Sequence, residues 1–126
     1  MDGQYMEYDD NILVEESNYK DDKKNGICRK YNNGKLISEI NYKDDNKDGS
    51  YTIYRDYLKP YTNPYNQTIV PHSYEKGTYK DGTKNGIYTK YYEDGQINEQ
   101  GTYHDNVVIG KLIYVYYDKK MLIYHF

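Results

Sequence analysis

The residues best spaced to do chemistry are Asp44, Asn46 and Asp48, which together with Gly49 reproduce the first half of an EF-hand calcium loop. Such a loop offers oxygen ligands from alternate positions and closes on a bidentate Glu at its twelfth. Here the twelfth position is Arg55, a cation aimed at the metal, and the matching loop one repeat earlier carries Lys23 and Lys24. The pattern reads as repeat punctuation. Cys28 occupies a strand slot that holds Tyr88 elsewhere, which suits a packed thiol better than a nucleophile. A single cysteine forms no internal disulfide, and with His72, His104 and His125 scattered along the chain it builds no zinc site. Glu15-Glu16 and Asp21-Asp22 sit in polar stretches, with no spacing that sets two carboxylates across a cleft. Asn66-Gln67-Thr68 is a glycosylation sequon, inert without a secretory signal. No glycine-rich phosphate loop or nucleophile elbow is present. The expectation is a chain with no catalytic residue, no metal and no cofactor.

The elements that carry these residues must be built from an unusual composition. Of 126 residues, 20 are Tyr, one is Phe, and none is Trp or Ala. Only 37% are apolar, so a thick core of aliphatic side chains is excluded, and helix bundles are disfavoured because tyrosine prefers strands. So many aromatic residues argue against disorder. The net charge of −3 and the two arginines, Arg29 and Arg55, leave no field or bidentate donors for nucleic acid. Stacking of bases on tyrosines would place phosphates beside acidic loops, so no nucleic-acid partner is expected. The opening MDGQYMEYDD is acidic, the reverse of a secretory leader, and no apolar run approaches the ~20 residues of a membrane span. A cytoplasmic location is expected.

Glycine sets a period. Gly3, Gly26 and Gly49 are 23 apart, Gly86 and Gly110 are 24 apart, and Gly49 to Gly86 is one period plus 14. Tyr8, Tyr31, Tyr54 and Tyr91 stand five residues after a glycine; Tyr19, Tyr42, Tyr79 and Tyr103 stand seven before one. Turn-forming clusters punctuate each unit, among them Asn32-Asn33-Gly34 and Glu93-Asp94-Gly95. Each unit reads strand, tight turn, strand, polar loop of four to six residues. The predicted fold is all-β: an elongated single-layer antiparallel β-meander of about four to five hairpin repeats, eight to ten strands in one domain over 1–126. The recurring glycines are expected to let a tyrosine ring from the neighbouring strand lie flat on the backbone. Half-burying each ring would contribute ~2 kcal/mol, in place of a conventional core.

Asn25-Gly-Ile-Cys-Arg-Lys-Tyr-Asn-Asn-Gly-Lys-Leu36 and Asn85-Gly-Ile-Tyr-Thr-Lys-Tyr-Tyr-Glu-Asp-Gly-Gln-Ile97 resemble MORN repeats, and are closest to a bacterial variant described as an antitoxin component. The resemblance extends over nearly the whole chain except about 57–72. It implies a twisted β-meander used for protein or, in some members, lipid contact, without catalysis. The sequence departs from that pattern in having no Trp, in Val115 where tyrosine is expected with Tyr116 one step late, and in a first unit without its preceding strand.

Two stretches break the rhythm. The Pro/Tyr-rich insertion at about 57–72 holds all three prolines and a tyrosine every four residues, and Tyr57, Leu58, Pro60, Tyr61, Pro64 and Tyr65 are its candidate partner-binding residues. The alternative is a loop that folds back to cover a sheet face. The final unit is apolar on both strand faces, and Ile113, Val115, Met121, Ile123 and Phe126 are the candidate dimer or partner edge. The expected function is binding of a protein partner of unknown identity, as an antitoxin, immunity or anti-defence inhibitor, with homodimerisation through the C-terminal repeat. A peripheral module on anionic lipid or a self-assembling scaffold is the alternative.

Overall fold

Tight turns organise the molecule. In the computed structural model, which describes residues 2–54, 61–62, 64–69 and 73–126, the chain forms β1 (Gly3–Asp9), β2 (Ile12–Lys20), β3 (Lys23–Lys24), β4 (Gly26–Asn32), β5 (Lys35–Lys43) and β6 (Asn46–Tyr54). It continues with β7 (Tyr61–Thr62), β8 (Thr68–Ile69), β9 (Ser73–Lys80), β10 (Thr83–Lys84), β11 (Gly86–Tyr91), β12 (Ile97–His104), β13 (Val107–Tyr117) and β14 (Lys120–His125). One antiparallel sheet runs in the order β1-β2-β4-β5-β6-β9-β11-β12-β13-β14, with β3 on β2 and β10 on β9. At ~4.8 Å per strand these ten strands make a ribbon about 43 Å long, as predicted for the meander.

The polar stretches expected as loops of four to six residues are two-residue turns instead. Asp21-Asp22, Asp44-Asp45, Asp81-Gly82 and Asp105-Asn106 all have positive φ at both positions, the geometry whose twist matches that of the flanking strands. The lysines and threonine that follow pair straight back, as Lys23 with Lys20 and Thr83 with Lys80. These turns also bond to one another. The Lys24 amide donates to Asp45 Oδ1 at 2.7 Å and its carbonyl accepts from the Asp45 amide at 3.0 Å; Lys84 and Asn106 repeat both bonds at 2.8 and 3.0 Å. Asn25 with Asp44, and Asn85 with Asp105, exchange side-chain and backbone bonds at 3.2–3.3 Å. The acidic pairs thus stitch successive hairpins along one margin of the sheet.

The recurring glycines serve the backbone rather than a ring. Gly3, Gly26, Gly49 and Gly86 have φ between +94° and +103°, a conformation that side chains resist, and no tyrosine atom lies where a Cβ would project. Gly26, Gly49 and Gly86 sit within bulges that hold two extra residues: three residues, Asp48 to Ser50, lie opposite Asn41 alone. Asn18 and Asn41 donate side-chain bonds to the carbonyls of Ile27 and Ser50 in these bulges, at 3.2 and 3.0 Å.

The tyrosine-on-glycine contact is real but lies at other glycines. A Cβ on Gly77 would fall 2.5 Å from Tyr51 Oη, and one on Gly101 2.7 Å from the Tyr88 ring and 2.6 Å from the Gly110 carbonyl oxygen. Tyr51 and Tyr88 stand two residues beyond a recurring glycine, directly opposite Gly77 and Gly101, and are only 2% and 1% exposed. Tyr5, Cys28 and their partners Ser17 and Ile40 continue this row on the same sheet face. Cys28 is buried, and burial pushes its thiol pKa up, consistent with a packed thiol. A second tyrosine leans on each ring of the first: Tyr19 on Tyr5, Tyr79 on Tyr51 and Tyr103 on Tyr88, with centroids 5.9, 4.8 and 4.4 Å apart. Lysines two residues before the glycines cap the outer rings, Lys24 over Tyr42, Lys47 over Tyr79 and Lys84 over Tyr103, each at 5.2 Å.

Candidate functional site

Around Tyr51 and Tyr88 the charged groups of the tyrosine face are engaged with one another and with the rings. Glu75, 3% exposed, accepts from Tyr51 Oη and lies 2.9 Å from Lys84 Nζ and 3.7 Å from Lys90 Nζ. Tyr88 Oη donates to Glu99 in the equivalent place. Burial, reinforced by these carboxylates, raises the pKa of both phenols and keeps them neutral donors. Burial alone would lower the pKa of Lys84, but Glu75 together with Tyr103 and Tyr79 outweighs it, and the net shift is upward. On the opposite face Tyr31 donates to Glu16 at 2.7 Å and Tyr54 to Glu39 at 2.5 Å, while Arg29 Nε donates to Glu39 at 2.9 Å. The bond to Glu39, with burial, pushes the Tyr54 pKa up to about 12. The bond from Tyr54 holds the Glu39 carboxyl below its usual range against burial, and Arg29 adds to it. Among the described residues no group of three or more His, Cys, Asp or Glu is placed to hold a metal.

The C-terminal hairpin is built differently. Opposite β12, β13 has a bulge of one extra residue, Ile109, where the earlier units have two. A one-residue change of register reverses which face each side chain takes. Lys111 therefore stands opposite Gly101 in the slot that Tyr51 and Tyr88 fill within β6 and β11, and Leu112 turns to the other face. The same one-residue shift brings Tyr114, one step before the position where the repeat predicts a tyrosine, into the place of Tyr31 and Tyr54, and it donates to Gln100 at 2.8 Å. β14 then pairs with β13 without irregularity, every one of its residues exposed. Lys111 and Phe126 exchange backbone bonds at 2.9 and 3.2 Å, with the ammonium 5.8 Å above a ring that is 71% exposed.

The five edge candidates divide between the two faces. Ile113, Val115 and Phe126 share the tyrosine face with Leu122 and Tyr124; Met121 and Ile123 lie on the other with Leu112, Tyr114 and Tyr116. Of the five candidates, Val115, Met121, Ile123 and Phe126 are exposed and Ile113 is half-buried. Of the insertion candidates, Tyr57, Leu58 and Pro60 lie outside the described residues. Tyr61 pairs with Ile69 in the short β7–β8 ladder. Pro64 and Tyr65 form the exposed turn of that ladder, and Tyr65 is 83% exposed. The fold brings the insertion and the last hairpin together. Tyr65 and Gln67 line a cleft of about 730 Å³ with Tyr116, Tyr117, Lys120 and Met121. Sequence reasoning missed Tyr116, Tyr117 and Gln67, because nothing local says that the insertion reaches past the Asp94-Gly95 turn to the last hairpin. Tyr92, beside that turn, donates to the Tyr114 carbonyl at 2.7 Å and packs on Tyr116 at 6.0 Å, which fixes one wall of the cleft.

Two stretches match the family model of a MORN repeat variant, residues 24–44 and 84–105. No curated protein matches the chain. Each matched stretch covers one strand–turn–strand unit, β4 with β5 and β11 with β12. MORN repeats are generally protein- or membrane-binding modules, without catalytic chemistry of their own.

Proposed function

We propose that this chain is a non-enzymatic protein-binding module whose contact surface is the cleft where the insertion meets the C-terminal hairpin. The carrying observation is the convergence of the exposed Tyr65, Tyr117 and Met121 with the half-buried Tyr116 around one concavity. Tyrosine gives large contact area at low entropic cost, and methionine adapts to a partner's shape. Small size, an acidic balance and the likeness of two units to MORN repeats support an antitoxin, immunity or anti-defence role, in which the partner is a toxin, effector or defence protein. The exposed edge of β14 is a second contact surface, for another copy of the chain.

A lipid-binding role needs a free basic face. Lys24, Lys84 and Lys90 are instead engaged by Glu15, Glu75 and tyrosine rings, which weighs against it. Replacing Tyr57, Tyr61 and Tyr65 together by Ser tests the reading. The expected result is a protein captured from the native host by the original chain and lost by the variant, with melting unchanged. Equal capture by both would overturn it. Incubation with anionic vesicles should give no co-sedimentation.

A further inference from the structure

We infer that the chain joins copies of itself head to tail, with β14 of one copy antiparallel to β1 of the next, Leu122 opposite Tyr5 and Lys120 opposite Glu7. The inference rests on reading β14 as a contact edge and goes further by naming the occupant and its register. Strand direction comes first. The ribbon contains ten strands along its path, an even number, so β1 and β14 run in opposite directions. A copy displaced along the ribbon therefore brings its β1 antiparallel to β14, and the meander continues across the join. Among the described residues both strands are edges of the sheet, with no strand on their outer side.

The repeat supplies the register. Inside the sheet, the residue two beyond a recurring glycine faces the one nine before it, as Tyr51 faces Ile40. The residue four beyond faces the one eleven before, as Lys30 faces Glu15 and Lys90 faces Glu75. β14 carries the same frame, since Tyr124-His125 follow Leu122 as Tyr103-His104 follow Gly101. Set against Gly3, that frame puts Leu122 opposite Tyr5, Met121 opposite Met6 and Lys120 opposite Glu7. The last pair is the charge-swapped counterpart of Glu75 and Lys90.

Charge agrees with this register. Residues 2–10 hold Asp2, Glu7, Asp9 and Asp10 and no cation, whereas Lys119 and Lys120 open β14. Pairing β14 with a second β14 about a two-fold axis would leave the acidic edge of β1 unused. The head-to-tail join is heterologous and does not close, so copies add in series.

Sedimentation velocity over a concentration series tests the join. The expected result is a mean mass that rises beyond that of a dimer. E7K and K120E each place like charges opposite at the join and should weaken association about tenfold. Both positions are exposed, and Glu7 also faces Glu15, so E7K does not burden the fold. An equimolar mixture of E7K with K120E pairs opposite charges at every mixed join and should regain the original masses, as should the double variant. A chain that stays monomeric throughout, or a dimer indifferent to E7K, would overturn the inference. Capture of a host protein through the Tyr65 cleft is read separately on E7K, which leaves that cleft untouched. Its failure would count against the proposed function alone.

Discussion

The central hairpins and the C-terminal hairpin use the same strands and turns to opposite ends. Around β6, β9, β11 and β12, two-residue bulges keep each tyrosine in phase with the glycine across from it, and Tyr51 and Tyr88 are almost completely covered. At β13 the bulge loses one residue, the phase reverses, and Leu122, Ile123 and Tyr124 are left in the open. Apolar content is therefore a poor guide to burial in a single-layer sheet. The most aliphatic unit is the least covered, because cover comes from a ring lying on a neighbouring glycine. A sheet of this kind separates the residues that hold it from those it offers to others by register alone.

Deleting one central ring should have the largest effect. Tyr88→Ala removes a fully buried ring and a carboxylate partner and should cost about 3–5 kcal/mol in urea denaturation. Leu122→Ala, on the exposed hairpin, should cost no more than about 0.5 kcal/mol. A comparable loss at both would erase the distinction between the regions. Glycine substitutions sharpen it. Gly101→Ala meets both the Tyr88 ring and the Gly110 carbonyl and should cost about 2 kcal/mol, whereas Gly110→Ala meets nothing within 4 Å and should be near neutral.

The repeat, the all-β class and the extended meander were legible because the period is written in glycine and tyrosine. Which glycine does which task was not. A period records that a position is special without distinguishing a positive φ, as at Gly49, from a steric vacancy, as at Gly101. The paired aspartates looked like loops because composition shows polarity but not φ, and two adjacent aspartates in the left-handed region form a turn as asparagine-glycine does. The aliphatic character of the last unit on both strand faces was legible from its residues. The cleft it shares with the insertion was not, since that depends on where a long excursion lands.

Alkaline titration probes the phenols on both faces. Tyr54 has a folded pKa of about 12 against an ordinary value near 10, and Tyr51 and Tyr88 are also raised. A raised folded pKa means the native state holds its proton more tightly. That stability is complete below pH 10 and is lost as pH climbs through the folded values. Melting temperature should thus fall from pH 10 toward pH 12, and Tyr54→Phe should flatten the part due to the Glu39 bond. Unchanged melting across this window would contradict the assignment. The smallest effect belongs to the turn margin. At the seam between the second and third turns, Asp48 and Asp81 occupy the places of Asn25 with Asp44 and Asn85 with Asp105. Asp48→Asn should complete the ladder and stabilise by about 0.5 kcal/mol in the same denaturation assay.

Native-state amide hydrogen exchange, followed residue by residue, addresses the central claim most directly. If rings seated on Gly77 and Gly101 form the interior, the amides of β6, β9, β11 and β12 exchange slowest, through whole-molecule unfolding. Those of β13 and β14 then exchange through cheaper local openings, despite their greater aliphatic content. Equal protection along the ribbon, or slowest exchange in the final hairpin, would contradict the account.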